Sequence, residues 1–253
     1  MAKYSVLTFV FNDYDFIREP LELSNDCEYI LVTDNKDIKS TKWNIKYLPK
    51  EYENASGFTK SFYVRYHPFE FVSTDVCIVL DGSNQIKKPL DKLVNDFLNS
   101  NKDICLNLHW CQTSPYNEYS YWLNTRNYDY NQFIKNIAMV KALGLKPDYK
   151  GCFEASFFIW KKSKLSYEIQ DFIYKCLEKI SPDNMHLDRL DQSILSAVIN
   201  CIFTDISIFP VTHQVLQSNY IQFYLHHSWT PFIGKINFNN LWLRNKKIEV
   251  YTL

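Results

Sequence analysis

The run Val76-Cys-Ile-Val-Leu80 breaks abruptly into Asp81-Gly82-Ser83-Asn84-Gln85-Ile86, and that break limits what the chain can build. A short apolar run with no polar alternation marks a strand covered on both faces, as inside a parallel sheet. In an open α/β sheet the crevice beyond the carboxyl ends of the strands is where ligands sit, so such a strand would deliver Asp81 to a cleft. Asp-Gly is also a common turn dipeptide, and the turn reading stands beside the site reading.

Strands and helices alternate around this run. Strands are expected over 4–11, over 28–33 ending in Asp34-Asn35, over 43–48, and further on over 104–108, 155–160 and 206–209. Pro89 opens a helix with apolar positions Leu90, Leu93, Val94, Phe97 and Leu98, the i, i+3, i+4, i+7, i+8 pattern of one helical face. Ile169, Phe172, Ile173, Cys176, Leu177 and Ile180 mark a second helix. A third starts near Asp188 and carries Ile194, Leu195, Val198 and Ile202, with Asp191 one turn back on the same stripe. Asp188 suits the N-cap and Asp191 the inward direction. The segment between Tyr52 and Pro68 has poorly marked boundaries, 110–132 is aromatic and amide-rich without a clean period, and 213–253 lacks helical period. This alternation predicts an α/β fold, a single three-layer α/β/α sandwich on a mainly parallel central sheet.

Composition narrows the function. With 253 residues and 46% hydrophobic content the chain buries a substantial core. Basic and acidic side chains balance at 28 each, so no global field favours nucleic acid or an anionic membrane, and an anionic ligand must be held locally. Glycine is scarce and no Gly-x-Gly-x-x-Gly follows the first strand, which counts against dinucleotide-binding dehydrogenases and against enzymes that wrap phosphates in a glycine-rich loop. The cysteines at 27, 77, 105, 111, 152, 176 and 201 are odd in number and form no Cys-x-x-Cys pair, arguing against a disulfide framework or zinc knuckle and for a reducing cytoplasm. No apolar stretch approaches the roughly 18 residues of a membrane span.

In this order, several pieces resemble nucleotide-sugar glycosyltransferases of the GT-A fold, in particular a hexosyltransferase-like family of plants and bacteria. They are Thr33-Asp34-Asn35, Lys60 with Arg65, Asp81-Gly-Ser-Asn-Gln-Ile, His109 with Glu118, Gly151-Cys-Phe-Glu154 and Arg189-Leu-Asp191-Gln192. A looser similarity runs to the glycogenin and lipopolysaccharide galactosyltransferase family, through Asp191-Gln192 and the late His226, His227 and Lys235. The resemblance implies one domain over 1–253. Residues 1–110 would hold the nucleotide sugar, and 111–253 would hold the acceptor and catalytic groups, with a closing C-terminal segment.

The same resemblance implies transfer of a hexose from a nucleotide sugar, UDP-linked, to a glycan or glycolipid acceptor, as in bacterial surface polysaccharide or lipopolysaccharide synthesis. Such transfer requires the departing diphosphate to be neutralised. In the resembled enzymes an Asp-x-Asp holds Mn²⁺ or Mg²⁺. Here the second carboxylate is replaced by Ser83, so Asp81, Gly82 and Ser83 would need His226 or His227 to complete a site. Lys60, Arg65 and Lys235 are candidates for the diphosphate oxygens, or else solvated surface cations. Asp34 resembles the acidic residue that meets base or ribose. Asp191, with Gln192, is the candidate carboxylate near the reacting sugar, Glu154 is its rival, and His109 reads as a binding group. The Asp-Gln similarity favours a retaining transfer.

Two other readings compete. A phosphatase would use Asp81 as nucleophile, but that pattern belongs after the first strand, which here ends in Phe11-Asn12-Asp13. A non-catalytic carbohydrate- or nucleotide-binding module fits the missing second carboxylate. Partners are expected to be a nucleotide sugar and a glycan or glycolipid, with no nucleic acid and no transmembrane segment. Trp229, Phe232, Trp242 and the basic 244–247 patch are what a membrane-borne acceptor would meet at the inner face, unless they pack as a C-terminal subdomain.

Overall fold

Every side chain of Tyr4–Val10 (β1) is buried, as are five of six in Val76–Asp81 (β4), which is why Val76–Leu80 reads as an unbroken apolar run and β1 is broken only by the small buried hydroxyls of Ser5 and Thr8. In the computed structural model, which describes residues 2–15, 17–109, 130–142, 144–146, 151–179 and 190–223, these strands lie side by side in the middle of a seven-stranded sheet. The other elements are β2 (Cys27–Thr33), β3 (Asn44–Lys46), α1 (Gly57–Tyr66), β5 (Asn84–Ile86), α2 (Asp91–Asn99), β6 (Ile104–Leu108) and α3 (Tyr130–Ala142). They continue with β7 (Phe153–Lys161), α4 (Lys164–Lys179), α5 (Leu190–Cys201), β8 (Phe209–Thr212), α6 (His213–Asn219) and β9 (Ile221–Phe223).

The sheet order is β3-β2-β1-β4-β7-β6-β8, and β5 pairs with β9 in a small second sheet. β1 is parallel to β2 and β4, β2 to β3, and β6 to β8, whereas β7 runs antiparallel between β4 and β6. The strand alternation sends Leu7, Ile30, Val32, Cys77 and Val79 to one face, where they meet Val64 and Tyr66 of α1, Ile169 and Ile173 of α4, and Leu195 and Val198 of α5. Val6, Leu31, Ile78 and Leu80 face the other way, against Leu93, Val94 and Phe97 of α2, Leu216 of α6 and Ile221 of β9. Helices therefore cover both faces, and the expected three-layer α/β/α architecture with a mainly parallel sheet is what the chain forms. No helix among the described residues is long and apolar enough to cross a membrane.

Several boundaries differ from those the sequence predicts. The segment around Lys60 and Arg65 is a helix, started by Ser56, whose side chain accepts from the Thr59 N–H; its mixture of aromatic and cationic side chains hides the period. The last strand of the sheet is Phe209–Thr212 rather than 206–209, because pairing with β6 begins at Phe209. α5 ends at Cys201 and leaves Ile202 exposed. α6 forms where no helical period is visible: Thr212 caps it by accepting from the Val215 N–H, and only Leu216 is buried, so a helix this short has no stripe to read.

Register sets where the polar loops fall. Val10 lies opposite Thr33 and Phe9 opposite Asp81, so Asn12, Asp34 and Asp81 emerge along one edge of the sheet. Because β7 is antiparallel, with Phe157 opposite Leu80, its first residues reach that same edge. Gly151, at φ 101°, makes the left-handed turn into it. At Gly82 the requirement is space: a Cβ there would stand 2.6 Å from the Phe9 carbonyl oxygen and 2.6 Å from Val10 Cγ2. Gly82→Ala is accordingly expected to force the Asp81 loop off β1 at a cost of about 1–3 kcal/mol, read as a lowered denaturant midpoint with unchanged slope; an unaltered midpoint would show that the loop has slack.

Candidate active site

At the end of β1 the chain turns through Asn12 and Asp13, both in the left-handed region with φ 53° and 51°, a conformation these side chains tolerate better than most. The turn is tied to the end of β2. The Asn12 N–H donates to Asp34 Oδ1 at 3.0 Å, and Asn35 Nδ2 donates to Asp13 Oδ1 at 2.8 Å. Asp34 Oδ2 accepts from Lys60 Nζ at 2.7 Å, and Lys60 on α1 is only 3% exposed. With its amide turned to satisfy both ends, Asn12 donates to Asp34 Oδ2 at 2.9 Å and accepts from the Gly57 N–H at 3.1 Å. Loop, strand end and helix start thus share one carboxylate.

Five residues further along α1, Arg65 is 6% exposed. Its Nη1 donates to Asp191 Oδ2 in the first turn of α5, and its guanidinium lies 5.3 Å from the Phe9 ring centroid. Burial works against the charge on Arg65, but Asp191 and Asp81 more than offset it, so the guanidinium is held above its ordinary value. Tyr66 beside it has a buried hydroxyl with no hydrogen-bond partner among the described residues; burial, reinforced by the negative charge of Asp191, pushes that phenol up. α5 is fixed in place by β7, where Gln192 Oε1 accepts from the Ala155 N–H at 3.3 Å and Ser196 Oγ from the Phe153 N–H at 2.8 Å.

The Asp81 loop is held from the other side. Arg18 Nη1 donates to the Gly82 carbonyl at 3.2 Å and to Asp15 Oδ1 at 2.9 Å, and the Trp43 indole donates to the Arg18 carbonyl at 3.0 Å. Ser83 is buried, with its hydroxyl 3.5 Å from Asn84 Oδ1, and Asn84 Nδ2 donates to the Ser156 carbonyl at 3.1 Å. On β7, Glu154 Oε2 accepts from Asn107 Nδ2 at 2.5 Å, from Ser156 Oγ at 3.3 Å and from His213 Nδ1 at 3.0 Å. The His109 N–H donates to the Cys152 carbonyl at 3.0 Å and closes the end of β6 onto the approach to β7.

The sheet edge therefore brings together Asp34, Lys60, Arg65, Asp81, Gly82, Ser83, Asp191 and Gln192, with Glu154 and His109 farther along on β7 and β6. His226, His227 and Lys235 lie outside the described residues, as do Glu118, Asp188 and Arg189. Lys60 and Arg65 each already hold a carboxylate. Among the described residues no three His, Cys, Asp or Glu side chains gather as metal ligands; Asp81 interacts with the charge of Arg65, and the Ser83 hydroxyl lies against Asn84 Oδ1. Sequence reading missed Arg18, which has only an i, i+3 pairing with Asp15 to signal it, and His213, which follows a capping Thr but stands in an unreadable stretch.

No protein-family model matches the chain, and no curated protein sequence does. Among solved structures, the apo form of mouse xyloside xylosyltransferase 1 is similar in outline, with a TM-score of 0.43 and 9% identity over 82% of this chain and 84% of that one.

The Arg65–Asp191 pair is nearly sealed, with side-chain exposures of 7% and 13%. Removing one partner of such a pair strands a buried charge. Asp191→Leu or Arg65→Met alone is expected to cost about 3–5 kcal/mol, and the double variant Arg65→Met/Asp191→Leu to recover much of that loss. A denaturation cycle reads this directly; additive single losses would mean that the pair is not a unit.

Proposed function

We propose that the protein is a glycosyltransferase that moves a hexose from a nucleotide sugar, UDP-linked, to a glycan or glycolipid acceptor. The observation that carries this reading is the buried guanidinium of Arg65, with Asp191 and Asp81 as its counter-charges, at the carboxyl edge of the central strands. Buried charge is costly where only stability is served, and this edge is where α/β sheets bind ligands. Charged groups perturbed by burial and by one another in a cleft are the signature of chemistry.

In this reading the base and ribose lie over the Asn12–Asp13 turn, near Asp34. The diphosphate approaches the Asp81-Gly82-Ser83 loop, where Arg65 and Lys60, with Lys235, offer positive charge to the leaving group. Asp191 stabilises positive character at the anomeric carbon, and Gln192, anchored to β7, fixes the helix that carries it. Mn²⁺ or Mg²⁺ would need His226 or His227 beside Asp81. A second reading, a nucleotide-sugar-binding module without turnover, is favoured by one feature: Lys60 and Arg65 are both already neutralised by carboxylates.

Calorimetric titration of UDP, GDP and CMP, with and without Mn²⁺, on wild type and Asp81→Ala tests this. Binding of UDP in preference to the others is expected. Mn²⁺-dependent binding lost in Asp81→Ala assigns a metal to Asp81, whereas Mn²⁺-independent binding leaves the diphosphate to Arg65, Lys60 and Lys235. No binding by any of the three nucleotides contradicts the reading, and binding of UDP without turnover of any UDP-hexose selects the non-catalytic module.

A further inference from the structure

Glu154 and His213 come from β7 and from the first residue of α6, and the structure joins them where the sequence shows no link. The Glu154 carboxylate, 7% exposed, gathers three donors on Oε2, one of them His213 Nδ1 at 3.0 Å. The imidazole is stacked on Phe223 with centroids 4.1 Å apart and planes at 22°. Phe223 stands opposite Asn84 in the small sheet, and Asn84 directly follows Asp81-Gly82-Ser83 while bonding the carbonyl of Ser156. A continuous set of contacts therefore runs from the Asp81 loop to His213. The Asn107 amide completes the carboxylate's shell, and its own oxygen is buried without a partner among the described residues.

This arrangement fixes the ring chemically. A carboxylate facing Nδ1 selects the tautomer with its proton there, so Nε2 carries the lone pair. The other acids of the edge have partners: Asp34 is bonded to Lys60 and Asn12, Asp191 to Arg65, Glu154 to its donors, and Asp81 is a counter-charge of Arg65. Glu154 is the titratable group that meets the imidazole from β7; β9 presents Phe223 to it, and β6 reaches it through Asn107 and Glu154.

We infer that His213 is the general base that activates the acceptor hydroxyl, with Glu154 as its positioning residue. This rests on the transferase reading and deepens it. The acceptor O–H gives its proton to Nε2, its oxygen forms the bond to the anomeric carbon, and the bond from that carbon to the diphosphate oxygen breaks, its electron pair leaving with the nucleoside diphosphate. Because the acceptor oxygen displaces the diphosphate directly, in one step with a base on the acceptor, the transfer inverts configuration, which reverses the retaining preference drawn from Asp191-Gln192.

The test uses the full chain, UDP-linked hexoses as donors and water as the simplest acceptor. His213→Gln is expected to lower kcat by about 10²–10⁴-fold, with UDP affinity within twofold of wild type and the acid limb of kcat against pH removed. Glu154→Gln is expected to lower kcat and displace that limb, and the sugar released by wild type to have inverted anomeric configuration. On wild type alone, ¹⁵N NMR of the imidazole is expected to place the neutral ring's proton on Nδ1. Retained configuration, an unchanged pH profile in His213→Gln, or a proton on Nε2 overturns the base assignment and leaves the transferase reading standing. Absence of turnover by wild type from every donor overturns both.

Discussion

A guanidinium buried against an aromatic ring is tolerable only if its charge is met, and at Arg65 that condition ties three distant parts of the chain together. Asp191 comes from the start of α5, Asp81 from the end of β4 and Phe9 from β1, while Arg65 itself projects from α1. If any of these shifts, a desolvated charge is left without its counterpart. The ion pair thus ties the start of α5 to α1 over the sheet and sets the electrostatics of that edge.

The rest of the edge follows from register. Parallel pairing of β1 with β2 and β4 levels their carboxyl ends, so turns separated by decades of sequence become neighbours. Gly82 allows the β4 loop to lie against the backbone of β1. The antiparallel β7 then brings its own beginning, Glu154 included, to the edge where the parallel strands finish. This one reversal in the sheet lets an acid from β7 and a histidine from α6 face the same loop as Asp81.

Much of this was legible in the residues. The buried runs at 76–81 and 104–108 gave their strands because both-face burial leaves no polar alternation to confuse, and the stripes of α2 and α4 gave their helices. The placement of Asp34, Asp81 and Asp191 at strand and helix ends followed from the same patterns. What the patterns could not supply were pairings. Nothing in the sequence announces that Lys60 answers Asp34 or that Arg65 answers Asp191, because those partners are chosen by the sheet order. α1 was obscured by its aromatic and cationic side chains, and α6 by its length. His213 therefore went unnoticed, while His226 and His227, more conspicuous as a pair, drew the attention.

In the proposed transferase the nucleotide's diphosphate is received at this edge, between the Asp81 loop and Arg65. A crystal structure of the full chain with UDP bound would show it. The diphosphate is expected beside the carboxyl ends of β1 and β4, within hydrogen-bonding reach of Arg65 or of a cation held by Asp81. A nucleotide seated elsewhere on the fold, with the Arg65–Asp191 pair and the Asp81 loop untouched, would contradict it.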